Sequence, residues 1–237
     1  MKTETWHWLD TSDDNAAMNM AIDDALLQDA ERRGIPLVRV YGWTRSSISI
    51  GYFQDYPAEF ESTHDIVRRS TGGGMVFHGK DLTFTFVAPR QHPLCRMNAA
   101  DGYRELHALI AQALVRDGIA VTLQQSRGST EQGACFELPV AHDIMIGAKK
   151  ITGGAQRRTK SGLLHQGSLL LPPSLRKSLD ELKAALRQGI PVTWIETQLS
   201  EKELANAADI ARSRYVTEAW NKKFAQASRS EPRLRER

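Results

Sequence analysis

The chain reads as a mixed α/β domain of the α+β kind, in which a largely antiparallel mixed sheet is flanked by helices. Three observations predict it. Short runs with strand alternation cluster over residues 37–87 and 120–171, amphipathic helical runs precede, separate and follow them, and no internal repeat divides the chain. At 237 residues and 41% hydrophobic, the chain can bury one substantial core. A single domain over residues 1–227, with a disordered basic tail at 228–237, is the simplest organisation.

Residues 14–32 read as a helix capped by Asp13 or Asp14, with Met18, Ile22, Ala25 and Leu26 on one face. Residues 37–41 and 46–50 read as strands paired through a turn at Gly42-Trp43-Thr44, and a third strand is expected over 66–69. Residues 75–77 and 82–87 read as a hairpin turning at Gly79-Lys80-Asp81. Asn98 caps a helix to Asp117 whose face is Tyr103, Leu106, Ile110, Ala113 and Leu114, and Gly118 stops it. A strand over 120–124 and a mobile polar loop over 125–133 lead to Cys135. Strands over 143–146 and 150–152 turn at Gly147-Ala148, and 155–158 and 163–171 extend the strand-rich stretch. Beyond Pro172-Pro173, a helix presents Leu175, Leu179, Leu182 and Leu186 and stops at Gly189, followed by a short connection over 192–199. Ser200 and Glu203 have capping-box spacing for a helix to about Ala211, and residues 214–225 can form another.

The charge balance narrows the function classes. Net charge is 31 minus 28, or +3, and residues 228–237 alone hold four arginines against two glutamates, so the remainder is nearly neutral. That argues against nucleic-acid binding, which needs a broad basic stripe. Two cysteines, Cys95 and Cys135, are too few for a disulfide framework and suit a reducing, cytoplasmic address. The first ten residues lack a signal-peptide pattern, and no apolar run reaches membrane-spanning length, so a soluble protein without membrane contact is expected.

Two segments about sixty residues apart carry the chemistry. The first is Arg68-Arg69-Ser70-Thr71-Gly72-Gly73-Gly74-Met75-Val76-Phe77-His78-Gly79. Three consecutive glycines let backbone approach a ligand and aim N–H groups at an anionic or carbonyl oxygen, and the arginines add charge. The second is Ala134-Cys135-Phe136-Glu137 leading to Lys149-Lys150-Ile151-Thr152-Gly153-Gly154-Ala155-Gln156. It offers a nucleophile, Cys135, and an ammonium, Lys150, able to lower a thiol pKa or orient an acyl carbonyl. Together the segments point to acyl transfer. Cys95 lacks such neighbours and reads as packing, as do the scattered tryptophans. No Cys-x-x-Cys or His-Glu-x-x-His spacing occurs, and no metal is expected.

At these residues the chain resembles the lipoate ligase, octanoyltransferase and biotin ligase superfamily, and within it the cysteine-dependent octanoyltransferases. The resemblance covers most of the chain. Asn19-Met20-Ala21-Ile22-Asp23-Asp24-Ala25-Leu26 looks like the family's first helix, Val38-Arg39-Val40-Tyr41-Gly42-Trp43 followed by Ser49-Ile50-Gly51-Tyr52-Phe53-Gln54 like its first strand pair, and Arg68-Arg69 through His78-Gly79 like its most specific signature. Lys150 through Gln156 resembles the family's lysine loop, and Asp143 stands at the family's aspartate position. Ala134-Cys135-Phe136-Glu137 stands where lipoate ligases carry an Arg-Asn-Asp type sequence. The chain departs from the transferases in having Gly153-Gly154 where glycine-serine is usual.

The resemblance implies a biotin/lipoate ligase-like catalytic domain with an acyl tunnel near Gly51, Tyr52 and Gly72, Gly73 and Gly74, and with Lys150 at the acyl head. Arg69, Gly153, Gly154 and Ala155 complete the implied binding set. It implies that Cys135 takes an octanoyl group from acyl carrier protein and passes it to a lipoyl-domain lysine, on a glycine cleavage H protein or a 2-oxoacid dehydrogenase E2, without a cofactor. Backbone N–H groups of Gly73, Gly74 or Gly153 could stabilise the oxyanion with Lys150. His78 could orient the carbonyl or the acceptor lysine, or hold a turn, and His165 reads as structural. Arg157 and Arg158 could steer an acidic acceptor, and a monomer is expected. A lipoate–protein ligase of the same fold, using ATP and Mg²⁺, an amidotransferase between carrier proteins, and a noncatalytic acyl-binding subunit are the competing readings.

Overall fold

The computed structural model describes residues 3–11, 13–125 and 139–224. Its strands are β1 (Thr5–Asp10), β2 (Leu37–Tyr41), β3 (Ser47–Ile50), β4 (Asp65–Arg68), β5 (Val76–His78), β6 (Leu82–Pro89), β7 (Thr122–Leu123), β8 (Ile144–Ile146), β9 (Lys149–Thr159), β10 (Gly162–Leu169) and β11 (Thr193–Glu196). Eight form one sheet in the order β11-β1-β2-β6-β10-β9-β8-β7, and three form a small sheet in the order β4-β3-β5. In the large sheet β1 runs parallel to β11 and to β2, and every other pairing is antiparallel.

The helices are α1 (Ala16–Gln28), α2 (Ala30–Arg33), α3 (Pro93–Arg96), α4 (Ala99–Arg116), α5 (Leu179–Gly189), α6 (Glu201–Ile210) and α7 (Glu218–Asn221). The longer ones cover the large sheet on both faces. On one side α4 and α5 pack on Val38, Val40, Phe84 and Phe86 through Leu106, Ile110, Leu182 and Leu186. On the other, α1 lies between the large sheet, the small sheet and α6, which is why it is buried almost all round. No described helix is long and apolar enough to cross a membrane.

The fold class is as the sequence predicts, and the departures have local causes. Asn15, not Asp13 or Asp14, caps α1, accepting from the Met18 N–H at 2.9 Å, while Asp14 accepts from the Asn15 N–H. The expected pairing of residues 37–41 with 46–50 does not form. Asn19 Nδ2 donates to the Gly42 carbonyl at 2.9 Å and the Thr44 N–H to Asp14, which holds this segment against the start of α1, and the chain leaves the large sheet. Likewise 75–77 and 82–87 are not a hairpin: β5 pairs with β3 and β6 with β2 and β10. Residues 150–158 form one unbroken strand through Gly153-Gly154 instead of two pieces and a loop.

β1 and β11 were not expected. Trp6 and Trp8 alternate with His7 and Leu9, the period of a strand, and β11 occupies what reads as a connection. The helix after Pro172-Pro173 begins only at Leu179, where Ser178 and Glu181 close a capping box, so Leu175 stays exposed. Residues 214–225 do not form one helix: a single π-type turn, Ala211–Tyr215, swings Arg214 and Tyr215 onto Asp24 before α7 begins. The tail at 228–237 lies outside the described residues.

Candidate active site

Lys150 stands near the start of β9, opposite Met145 of β8. There Ile144 faces Thr152 and Met145 faces Lys150, so β9 carries one extra residue, a β-bulge. The irregularity lets Lys150 and Gly153, three residues apart, share a side of the strand: a Cβ on Gly153 would collide with Lys150 Cε and Nζ. Glycine is therefore required for the lysine to lie across the strand. Its Nζ forms a 2.9 Å ion pair with Asp143, which is fully buried.

Asp143 gathers three groups. Oδ2 takes Lys150 and the Val140 N–H at 2.8 Å, and Oδ1 accepts from Tyr103 Oη at 2.5 Å. Tyr103 Oη in turn accepts from the Gly154 N–H at 2.9 Å. Burial, with the Asp143 charge beside it, drives the Tyr103 hydroxyl well above its ordinary pKa, so it stays a donor. His142, just before Asp143, sits in the left-handed region at φ 73°. Sequence patterning placed Tyr103 on a packing face; only the rule that a buried Tyr hydroxyl needs a partner hints at this role.

Across from Lys150 lies the glycine turn. Arg69, almost fully buried, donates from NH1 to the Ser49 carbonyl at 2.8 Å and to Ser49 Oγ at 2.7 Å, and from NH2 to the Gly72 and Gly74 carbonyls at 3.0 and 2.8 Å. The turn is shaped by that guanidinium, with Gly73 at φ +83° against Ala155. Arg68 acts differently: it ties the 51–54 turn to α7, bonding the carbonyls of Gly51, Tyr52, Gln54, Trp220 and Asn221.

Between the turn and β9 is a cavity with about 510 Å³ of atom-free space, part of it open to solvent. Met20, Tyr41, Trp43 and Val76 supply its apolar wall; Arg69, Gly73, Gly74, His78, Lys150, Gly153, Gly154 and Ala155 line the rest with Ser49, Gln166 and Ser168. Three expected residues are not in it. Gly51 packs behind the turn, where a Cβ would strike the Gly73 carbonyl, while Tyr52 and Gly72 face a separate surface depression. Arg158 is also no docking group, since it donates to the carbonyls of Leu94, Cys95, Met97 and Asn98.

His78 lies on Trp43, with ring centroids 4.0 Å apart, and bonds Ser49 Oγ through Nε2 at 2.7 Å and Asp81 through Nδ1 at 2.8 Å. Arg69 also donates to Ser49 Oγ, so this one hydroxyl joins the guanidinium to the imidazole. Burial pushes the Asp81 carboxyl up, but His78 and the hydroxyls of Ser168 and Thr83 together bring it below its ordinary pKa. His165 is buried on the far side of β10 beside Phe84, and burial lowers it to about 3, in keeping with its structural reading. Cys135 lies outside the described residues; Val140, five positions later, is the nearby residue fastened to Asp143.

Asp23 and Asp24 carry a signal that sequence reading passed over, two adjacent carboxylates inside an apolar helix. Asp23 accepts from Arg39, Tyr41, Thr85 and Gln166, and Gln166 accepts from Thr71 beside the glycine turn. The network thus reaches from the core to the cavity rim.

Comparison with known proteins agrees with this geometry. An octanoyltransferase LipM from Bacillus subtilis (strain 168) is 28% identical, with 94% of this chain and 100% of that protein covered. Another from Kyrpidia tusciae is 31% identical, with 97% and 90% covered. A lipoate-protein ligase A solved with ATP bound superposes with a TM-score of 0.72 at 25% identity, covering 94% of this chain and 99% of that one. The family model described as the lipoyl protein ligase A/B catalytic domain matches residues 15–212, and the chain belongs to that family.

Proposed function

We propose that the protein is an octanoyltransferase of protein lipoylation, moving an octanoyl group from acyl carrier protein to a lysine of a lipoyl domain through a thioester on Cys135. The observation that carries the reading is Lys150, fixed by Asp143 across Gly153 at a cavity with an apolar wall. An eight-carbon tail suits Met20, Tyr41, Trp43 and Val76, and an acyl carbonyl beside Lys150 would meet a positive charge. The octanoyltransferase relatives support the same assignment.

The chemistry needs two exchanges. Cys135 thiolate attacks the octanoyl thioester carbonyl and the carrier's thiolate leaves, an exchange between bonds of similar energy. The neutral amine of the acceptor lysine then attacks the Cys135 thioester, the amide forms, the Cys135 thiolate leaves, and the amine's surplus proton passes to solvent or the departing sulfur. Each step develops negative charge on one carbonyl oxygen, where Lys150 acts. Because an amide is more stable than a thioester, no ATP or Mg²⁺ is called for. Gly154 is not among the oxyanion donors, since its N–H is held by Tyr103.

Incubation with octanoyl carrier protein, without ATP, should leave a hydroxylamine-labile octanoyl adduct on the wild type by intact mass and none on Cys135→Ser. An unlabelled wild type that modifies a lipoyl domain only with ATP and Mg²⁺ would select the ligase reading instead.

A further inference from the structure

Just outside the acyl cavity, beyond Gly72 and Ala155, is an open depression with about 700 Å³ of atom-free space, lined by Tyr52, Phe53, Gly72, Arg157, Arg214 and Trp220. It shares its rim with the cavity: Gly72 continues into Gly73 and Gly74, and Arg157 and Gln156 continue from Ala155. Its aromatic floor is partly exposed. Phe53 is 79% exposed, and Tyr52 stacks edgewise on Phe53 and packs on Trp220 and Phe224.

The charge around it is positive. Arg157 and Arg214 approach the two oxygens of one buried carboxylate, Asp24, at 3.5 and 2.6 Å, and each guanidinium remains more than a third exposed. Two cations against one anion leave a surplus, and Lys223, hydrogen-bonded to Tyr52 Oη with its ammonium 4.6 Å from that ring centroid, adds to it. Lys222 does not count, being paired with Glu61 and Glu218. The Tyr52 hydroxyl senses the field: its hydrogen bond from Lys223, and the charges of Lys223, Arg157 and Arg214, pull its pKa below the ordinary value.

We propose that this depression seats an acidic carrier protein that presents its acyl group on a phosphate-linked arm, with the phosphodiester against Arg157 and Arg214. The proposal rests on the octanoyltransferase reading for the arm's cargo. Paired guanidiniums suit phosphate, whose tetrahedral oxygens accept from two planar forks at once. The aromatic floor supplies area that an acidic partner's apolar residues can cover, and the shared rim leads the arm toward Lys150.

The test uses Arg157→Gln, Lys223→Gln and the double variant in the full chain. Asp24 keeps Arg214, Ser70 and Tyr215 in all three, so folding is preserved and thermal unfolding checks it. Binding of octanoyl-acyl carrier protein is titrated at low and high salt, and octanoyl-pantetheine, which has neither phosphate nor protein, is the control. The double variant should bind the carrier about tenfold more weakly with a shallower salt dependence, and octanoyl-pantetheine as the wild type does. Unchanged carrier affinity, equal loss for octanoyl-pantetheine, or a loss confined to the lipoyl-domain acceptor would each overturn the proposal. A wild type that binds the carrier in this salt-sensitive way yet transfers nothing would leave the docking surface standing and remove the proposed function.

Discussion

On β2, Val38 and Val40 turn toward α4 and α5, while Arg39 between them turns toward α1; on β6, Phe84 and Phe86 take the first side and Thr85 the second. The same strands thus build two different interiors. The α4 and α5 side is mostly hydrocarbon packed on hydrocarbon, and burial holds its two imidazoles, His107 and His165, below their ordinary pKa. The α1 side buries Arg39 and Asp23 completely and surrounds them with Asn19, Tyr41, Thr85 and Gln166. The apolar side tolerates volume changes in proportion to lost contact, whereas the charged side must stay fully paired. The cavity opens on the charged side, where fixed donors can hold the turn and the apolar wall can still take a tail.

The sharpest way to break this contrast is Asp23→Ala. It leaves the Arg39 guanidinium buried without its carboxylate, and unfolding free energy should fall by about 3–5 kcal/mol. Ile110→Val, on the other face, should cost only about 0.5–1.5 kcal/mol. Denaturant titration measures both, and similar costs for the two would mean that the distinction between the faces has no energetic content.

The same contrast explains what sequence could and could not disclose. Periodicity reports which side chains are apolar, so α4 and its packing face over Leu106, Ile110, Ala113 and Leu114 are legible. It is silent on which strand pairs with which, so the segments around Gly42 and Gly79 read as turns of hairpins although each carries the chain between two sheets. Within the site, Lys150, Arg69, Gly73, Gly74 and His78 could be singled out by motif, and the structure gathers them around one cavity. Gly51 belongs to the motif yet stands behind the turn, where it makes room for the Gly73 carbonyl. Asp143 was marked only by its place in the family pattern, and Tyr103 looked like core, because their work depends on a hydrogen bond between residues forty positions apart.

Two buried imidazoles probe the apolar side by pH. His107 and His165 lie near each other, with ring centroids 5.2 Å apart, and burial lowers both, His165 to about 3. Unfolded, a histidine has its ordinary pKa of about 6.5. Between that value and the folded one the unfolded chain holds the extra proton, so the contribution is complete above pH 6.5 and is lost as pH falls toward 3. His165 should add about 1.4 kcal/mol of lost stability per pH unit in that window, and His107 adds in the same direction. Unfolding free energies measured at stepped pH should show a shallower acid slope for His165→Leu than for the wild type; parallel slopes would place the acid sensitivity elsewhere.

A smaller change than at Asp23 is expected where the two faces meet, at Tyr103 of α4, whose hydroxyl reaches through to Asp143 and Gly154. Tyr103→Phe keeps the ring and leaves the Gly154 N–H and Asp143 Oδ1 without this partner, so stability should fall by about 2–3 kcal/mol. Chemistry should suffer as well, because Asp143 loses the donor on Oδ1 that sets the orientation in which Oδ2 meets Lys150. In single-turnover transfer, the rate constant should drop about tenfold, some 1.4 kcal/mol in the barrier, while affinity for the octanoyl donor stays within twofold or so of the wild type. A matched loss of affinity would mean that the hydroxyl shapes the cavity; an unchanged rate would mean that Asp143 holds the lysine without help from α4.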